Sequence, residues 1–255
     1  MIKIFMNGCC GRMGHTIAKM CQRDNEYRIV AGCDVTTSDD LNFPIYSNPN
    51  DCTEDFDVII DFSNALAVPA ILNYALTVKK PFICCTTALS EETVADILKA
   101  SETIPVFKSA NMSVGINLML ELVKKCTKTL YPEFDIEIVE AHHNRKLDAP
   151  SGTAMMIANA ISQEIPEEVD YVYDRQSRNE ARKKNEIGIS SIRGGNIVGD
   201  HDAMFISDEE ILTVSHRAMT RDVFAKGALT AAKFMCGKDA GYYTMSDVIA
   251  DAIKE

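Results

Sequence analysis

Apolar and polar positions along the chain follow two periods, and the changes between them lay out the elements. Ile2, Ile4 and Met6 alternate into Gly8 as in a strand, and Ile17, Ala18, Met20 and Cys21 then recur at helical spacing. Residues 28–33 read as a second strand, 57–62 as a buried strand, 65–78 as a helix, 81–85 as a strand, 91–101 as a helix and 104–108 as a further strand. Such alternation predicts an α/β fold with a doubly wound parallel sheet, whose ligand lies beyond the carboxyl ends of the strands. That rule picks out Phe62 and Ser63, Thr86 and Thr87, and Ser109, Ala110, Asn111 and Met112.

From about Val114 the pattern changes. A long helix over 114–129 leads into a strand over 134–141 and a helix opened by Ser151; strands over 187–192, 196–205 and 210–215 follow with no helix between them. Hairpin-linked strands imply a mixed or antiparallel sheet and a second domain of α+β type. Residues 167–185 are charged and lack clean periodicity, which reads as a long loop. Helices return over 222–236 and 248–253, the last capped by Ser246.

Between the first strand and helix stands GCCGRMG, residues 8–14. Strand, glycine turn and helix in that order form a dinucleotide-binding unit, in which the glycines let the backbone approach a pyrophosphate at the helix N-terminus. The spacing is GxxGxxG, not the commoner GxGxxG, and glycines can also serve helix–strand packing alone. Asp34 tips the reading towards a cofactor: it ends the second strand, twenty residues after Gly14, where a carboxylate accepts from a ribose hydroxyl.

The stretch EAHHNRKLDAPSGTA, residues 140–154, gathers the groups best suited to chemistry. His142 and His143 follow the alternation of Ile136, Ile138 and Ala141 and so sit where a strand ends. Ser151, Gly152 and Thr153 precede an apolar helical run and form a helix N-terminus whose N–H groups attract carboxylate or phosphate. Lys146, on the connecting loop, adds a full positive charge. Taken singly these are a surface histidine pair, an ordinary N-cap and a solvated lysine; together they describe a proton-donating, anion-binding site. A metal site is not expected, because His15, His201 and His216 are distant in sequence and no HExxH or CxxC spacing occurs.

At 255 residues and 46% hydrophobic content, the chain has enough apolar surface for two cores. A net charge of −11 and a pI of about 5.0 argue against nucleic acid as a partner, although a local Lys and His cluster still binds an anionic substrate. The nine cysteines, with adjacent pairs at Cys9 and Cys10 and at Cys84 and Cys85, read as small buried hydrophobes in a reducing compartment. With no apolar run long enough to span a bilayer and no leader, the expectation is a cytoplasmic protein with no membrane partner.

GCCGRMG, SANMSVGIN (109–117), EAHHNRKLDAPSGTA, IRGGNIVGDHDAMF (192–205) and FAKGA (224–228) together resemble the dihydrodipicolinate reductase (4-hydroxy-tetrahydrodipicolinate reductase) family over nearly the whole chain. The resemblance implies a Rossmann-type first domain, 1–112 completed by 219–255, and a substrate-binding and oligomerisation domain, 113–218, that assembles a homotetramer. It implies reduction of a cyclic imine dicarboxylate by NADH or NADPH in lysine and diaminopimelate biosynthesis. His142 would be the proton donor or acceptor and Lys146 a second donor, while His143, Ser151, Gly152 and Thr153 would hold the substrate. On the cofactor side stand Gly8, Cys9, Cys10, Gly11, Arg12 and Met13 at the pyrophosphate, Asp34 at the ribose, and Cys85, Thr86, Thr87 and Ser109 to Met112 at the nicotinamide half.

Two positions depart from the family pattern. Cys85 stands where the family usually has glycine, which makes its cofactor contact less secure than that of Thr86. Val35, Thr36, Thr37 and Ser38 follow Asp34 where some members have arginine, so a 2′-phosphate lacks a partner and NADH is the expected preference. Two rivals are a reductase or amino-acid dehydrogenase of another small acid, which has no reason to carry HHNRK before DAPSGTA, and a catalytically silent dinucleotide-binding regulator, which would have lost His142 and Lys146.

Overall fold

The structure, a computed structural model, describes residues 1–254; Glu255, the last residue of the expected 219–255 segment, lies outside the described residues. In chain order the elements are β1 (Ile2–Asn7), α1 (Arg12–Cys21), β2 (Tyr27–Cys33), β3 (Ile45–Tyr46), β4 (Val58–Asp61), α2 (Val68–Val78), β5 (Phe82–Cys84), α3 (Glu91–Ala100) and β6 (Pro105–Lys108). There follow α4 (Val114–Leu130), β7 (Asp135–His142), α5 (Gly152–Ser162), β8 (Asp170–Val172), β9 (Glu186–Arg193), β10 (Gly199–Ile206) and β11 (Ile211–Ala218), and finally α6 (Asp222–Met235), β12 (Gly241–Tyr243) and α7 (Met245–Lys254). They form two compact units, one of Met1–Ser113 with Asp222–Glu255, the other of Val114–Arg221.

The first unit is built on a seven-stranded, wholly parallel sheet in the order β12-β6-β5-β4-β1-β2-β3. Its central strands are apolar on both faces because helices cover both: Ile4, Phe5 and Met6 of β1 and Ile59 and Ile60 of β4 are fully buried. Each such side chain contributes roughly 1.5–3 kcal/mol by leaving water. The chain runs from β1 outward to β2 and β3, then returns to β4 on the other side. The crevice beyond Asn7 is therefore the topological switch point, where this architecture binds ligands.

The second unit is a five-stranded mixed sheet in the order β11-β10-β7-β9-β8, with β10 antiparallel to β7 and β11, and β9 parallel to β7 and β8. Alternate residues of β7 and β10, among them Ile136, Ile138, Ala203 and Phe205, join α4 and α5 in one core. Of the consecutive strands, β10 and β11 pair as a hairpin, β8 and β9 lie side by side but parallel, and β9 and β10 flank β7, so the expected succession of hairpins is corrected to one hairpin and a crossing over β7.

Elsewhere the differences from the sequence reading are local. The helix expected over 65–78 starts at Val68, because Asn64 Oδ1 accepts from the N–H groups of Leu66 and Ala67 and holds 64–67 in a turn. The last helix starts at Met245, before Ser246; Asp247 reaches back to accept from the N–H and hydroxyl of Thr244. Residues 167–185 include β8 as well as loop, and the loop is clasped to the sheet: Arg175 pairs with Glu137 and Glu186, Arg178 with Asp170, and Arg182 donates to the carbonyls of Ile136 and Glu186.

Candidate active site

In the first unit, Gly8 follows β1 with φ +76°, and a Cβ there would lie 2.5 Å from the Phe62 carbonyl oxygen, so only glycine fits. Gly14 lies so close to the Cys9 backbone that a side chain would overlap it, which seats α1 tightly on the turn. Gly11 caps α1 in an extended conformation without a side-chain hydrogen bond, leaving the first N–H groups of the helix to a ligand or to water. Gly8, Cys10, Gly11 and Asp34 line one cleft of about 440 Å³, together with Val35, Thr36, Asn64 and the apolar Ala67, Ala70 and Ile71; among the described residues no lysine or arginine lines it. Asp34 Oδ2 accepts from Cys10 N at 2.9 Å and Oδ1 from Thr36 N at 3.3 Å.

A second cleft, of about 250 Å³, is lined by Met13, Phe62, Cys85, Thr87, Ser109, Ala110, Asn111, Met112 and Phe224. Three expected cofactor residues, Cys9, Arg12 and Thr86, do not line either cleft. Cys9 is buried beneath the turn with its Sγ 3.9 Å from that of Cys10; Arg12 is exposed on the first turn of α1; and Thr86 is buried, its hydroxyl donating to Asp61 at 2.7 Å. Cys85 needs no glycine: its backbone is outside the left-handed region, and its N–H donates to the Asp61 carbonyl at 2.9 Å.

Asp61 itself escaped the sequence reading. Fully buried, it accepts from Asn7 Nδ2 at 2.7 Å, from the Ser63 hydroxyl at 2.5 Å and from Thr86, tying together the ends of β1, β4 and β5; burial pushes its carboxyl pKa up. The crevice thus rests on a satisfied polar network, not on loops alone.

In the second unit, β7 carries Glu140 and His142 on the same, inward face, two residues apart. Glu140 Oε2 lies 2.6 Å from His142 Nδ1, and Oε1 accepts from the main-chain N–H of Ser151 at 3.1 Å, so one carboxylate joins the strand end to the N-terminus of α5. Arg193 of β9 donates to both oxygens, at 2.9 and 2.7 Å. Burial opposes ionisation of Glu140, but the hydrogen bonds from Arg193 and His142 outweigh it and bring the carboxyl down to about 2. The Ser151 hydroxyl accepts from Ala154 N at 3.1 Å as the helix cap and meets His201 Nε2 at 3.1 Å. Both polar groups of Ser151 are therefore committed within the protein, while a Cβ on Gly152 would meet nothing within 4 Å, which leaves that end of the helix open.

His143, just beyond β7, is half-buried; desolvation first, then the cationic Arg145 and Arg221, lowers its pKa. Lys146 pairs with the exposed Asp148 at 2.8 Å, a contact that costs little to exchange for another anion. Arg145, Lys146 and Arg221 thus make the surroundings of the two histidines locally cationic in an acidic chain. His201 and Arg193 were not singled out by sequence reasoning, although both lie in motifs that carried the resemblance. The signal that finds them is strand register: His201 sits opposite Glu140 and Arg193 opposite His142.

A family profile described as dihydrodipicolinate reductase, N-terminus, matches residues 2–112, and one described as dihydrodipicolinate reductase, C-terminus, matches residues 115–249. The 4-hydroxy-tetrahydrodipicolinate reductase of Caldanaerobacter subterraneus subsp. tengcongensis is 50% identical over 249 residues, and that of Clostridium botulinum 47% over 250, each covering 98% of both chains. Among solved structures, dipicolinate-bound dihydrodipicolinate reductase from Paenisporosarcina sp. TG-14 superposes with a TM-score of 0.81 at 22% identity, covering 96% of this chain and 97% of that one. A probable dehydrogenase from Thermotoga maritima gives 0.63 at 13% identity, covering 97% and 92%. At these identities the two structures speak for the fold.

Proposed function

This chain belongs to the dihydrodipicolinate reductase family, and from that premise we propose that it reduces 4-hydroxy-tetrahydrodipicolinate with a reduced nicotinamide dinucleotide, as a step of lysine and diaminopimelate biosynthesis. The observation that carries this reading is the join through Glu140, which places a histidine and an open, cation-flanked helix end at one site. A histidine there supplies a proton; the helix end and His143 hold carboxylates.

The first unit fits the cofactor: the turn at Gly8 has no room for a side chain, α1 is uncapped, and Asp34 stands at the end of β2. Gly8, Cys10, Gly11 and Asp34 would hold the dinucleotide, and Met13, Cys85, Thr87 and Ser109 to Met112 its nicotinamide half. When bound, the reduced nicotinamide supplies the hydride. The chain's own groups do the rest: His142 donates a proton at Nε2, Lys146 is the second donor, and Gly152 and Thr153 with His143 orient the dicarboxylate. A positioned acid of this kind contributes roughly 10²–10⁴-fold.

NADH is the preferred form, since a 2′-phosphate beside Asp34 would meet a like charge and no lining lysine or arginine. A homotetramer is supported by the face of the five-stranded sheet turned away from α4 and α5, where alternate β7 residues are half-exposed and β11 shows Ile211. No helix among the described residues is long and apolar enough to cross a membrane, and nine free cysteines suit the cytoplasm.

The test is loss of nicotinamide absorbance when the protein meets NADH or NADPH and freshly generated substrate. Turnover is expected. Dinucleotide binding without turnover would replace this reading with that of a silent regulator.

A further inference from the structure

We propose that Glu140 is a positioning residue for this reaction: clamped by Arg193, its buried carboxylate fixes the ring of His142 so that Nδ1 carries a hydrogen bound to the protein and Nε2 is the atom that gives up a proton. The inference rests on the reading of His142 as proton donor and adds the groups that make it one.

The geometry leaves little freedom. An ionised carboxylate only accepts, so at 2.6 Å the imidazole must donate from Nδ1, and its second nitrogen is the one whose proton comes and goes. Glu140 cannot take that proton in exchange. Arg193 occupies both oxygens, Ser151 N adds a third donor, and these contacts hold the carboxyl at about 2. A buried carboxylate with bidentate guanidinium, backbone and imidazole donors has its desolvation offset, whereas one deprived of them would not.

The surroundings keep this arrangement in place. His201 of β10 stands edge-on to His142 with ring centroids 5.2 Å apart, and burial lowers its pKa to about 4, so it walls the site without adding charge. Gly199 lies where a Cβ would come within 3.1 Å of His142 Nε2, and the missing side chain leaves the ring its room. The titratable and charged groups around His142 are then Glu140 and His143 of its own segment, Arg193 of β9, His201 of β10 with His216 of β11 behind it, and Arg145, Lys146 and Asp148 of the following loop. Among these the only carboxylate bonded to the ring is that of Glu140.

The experiment compares Glu140→Gln, His142→Gln and the double variant. Glu140→Gln is expected to lower kcat by roughly 10²–10⁴-fold with NADH affinity unchanged, and to move the limb of kcat/KM that reports the acid to lower pH, because a negative neighbour is lost. The double variant should lose no more than His142→Gln alone. Additive losses, or an unshifted pH limb, would reduce Glu140 to a structural role and overturn the proposal. If Glu140→Gln fails to fold, ¹⁵N NMR of the wild-type imidazoles decides: a neutral His142 protonated at Nδ1 supports the proposal, and one protonated at Nε2 overturns it. Wild-type protein without turnover, or full activity in His142→Gln, would instead sink the functional reading, and the NMR result would still stand on its own.

Discussion

The main-chain N–H of Cys10 donates to Oδ2 of Asp34 at 2.9 Å, so the acid that ends β2 also fixes the glycine turn that follows β1. One residue thereby shapes the turn and meets the ribose. Asp34→Ala is expected to weaken NADH binding by about tenfold and NADPH binding by less, since the lost turn contact is shared but the repulsion of the 2′-phosphate is relieved, so that the difference between them narrows. Titration of both dinucleotides checks it; an unchanged affinity for each would remove Asp34 from the site.

Val35 is 95% exposed beside the same cleft, so Val35→Arg changes cofactor choice without disturbing the core. The variant should raise kcat/KM for NADPH relative to NADH by giving the phosphate a cation. Both values are to be measured at one salt concentration, since the effect is screened. A wild-type enzyme with a clear advantage for NADPH would refute the argument from Asp34.

His142→Ala and Lys146→Ala should each lower turnover by roughly 10²–10⁴-fold and leave dinucleotide affinity nearly unchanged, because both residues belong to the second unit. Thr153→Val should raise KM through the perturbed helix end. Direct NADH titration separates the two classes: parallel losses of turnover and cofactor binding would place His142 and Lys146 in the wrong site.

Acid should destabilise the fold by a defined route. His201 takes up a proton near 6.5 in an unfolded chain but only near 4 when buried beside His142, so between those values the unfolded state binds the proton and the folded state does not. The stability conferred by its neutral form is whole above about 6.5 and is lost as pH falls towards 4, a loss on the order of a few kcal/mol. Glu140 acts in the same sense lower down, between its ordinary 4.5 and about 2. Urea midpoints across this range should fall for the wild type and fall less for His201→Gln; parallel curves would clear His201 of the effect.

Gly227 of α6 lies so close to Met112 that a Cβ would overlap the Met112 carbonyl, and backbone cannot swing aside as a side chain can. Gly227→Ala should cost about 1–3 kcal/mol or more and loosen the second cleft, which Met112 lines. A denaturation midpoint equal to the wild type would show that the helix simply shifts.

The long elements were legible because a strand such as β7 or a helix such as α4 repeats its period several times. β3, β8 and β12 have two or three residues each and no period to read; they are strands because the neighbouring edge offers partners. The same limit applies to the site. His142, His143, Lys146 and the Ser151 cap lie within ten residues, and their chemistry could be read along the chain. Arg193 and His201 meet Glu140 only across strands, at separations of more than fifty residues, and no local pattern records which strand pairs with which. Asp61 was hidden for another reason: within an apolar run a single acid looks like a strand end until its donors from Asn7, Ser63 and Thr86 are seen.

The seven-stranded sheet takes β12 at its edge beside β6, and α6 packs on β4, β5 and β6, so the first unit draws on residues that a ribosome delivers only after the second unit. Synthesis proceeds from the N-terminus at about 5–20 residues per second. The unit begun first must therefore wait, its β6 edge unpaired and one side of its core uncovered, until the whole second unit and then α6 and β12 have emerged, roughly 7–27 s later. For that interval the nascent chain carries the kind of open strand edge that recruits chaperones or neighbouring chains, and a ribosome stalled once Arg221 had cleared its exit tunnel would hold a complete second unit tethered to an unfinished first one.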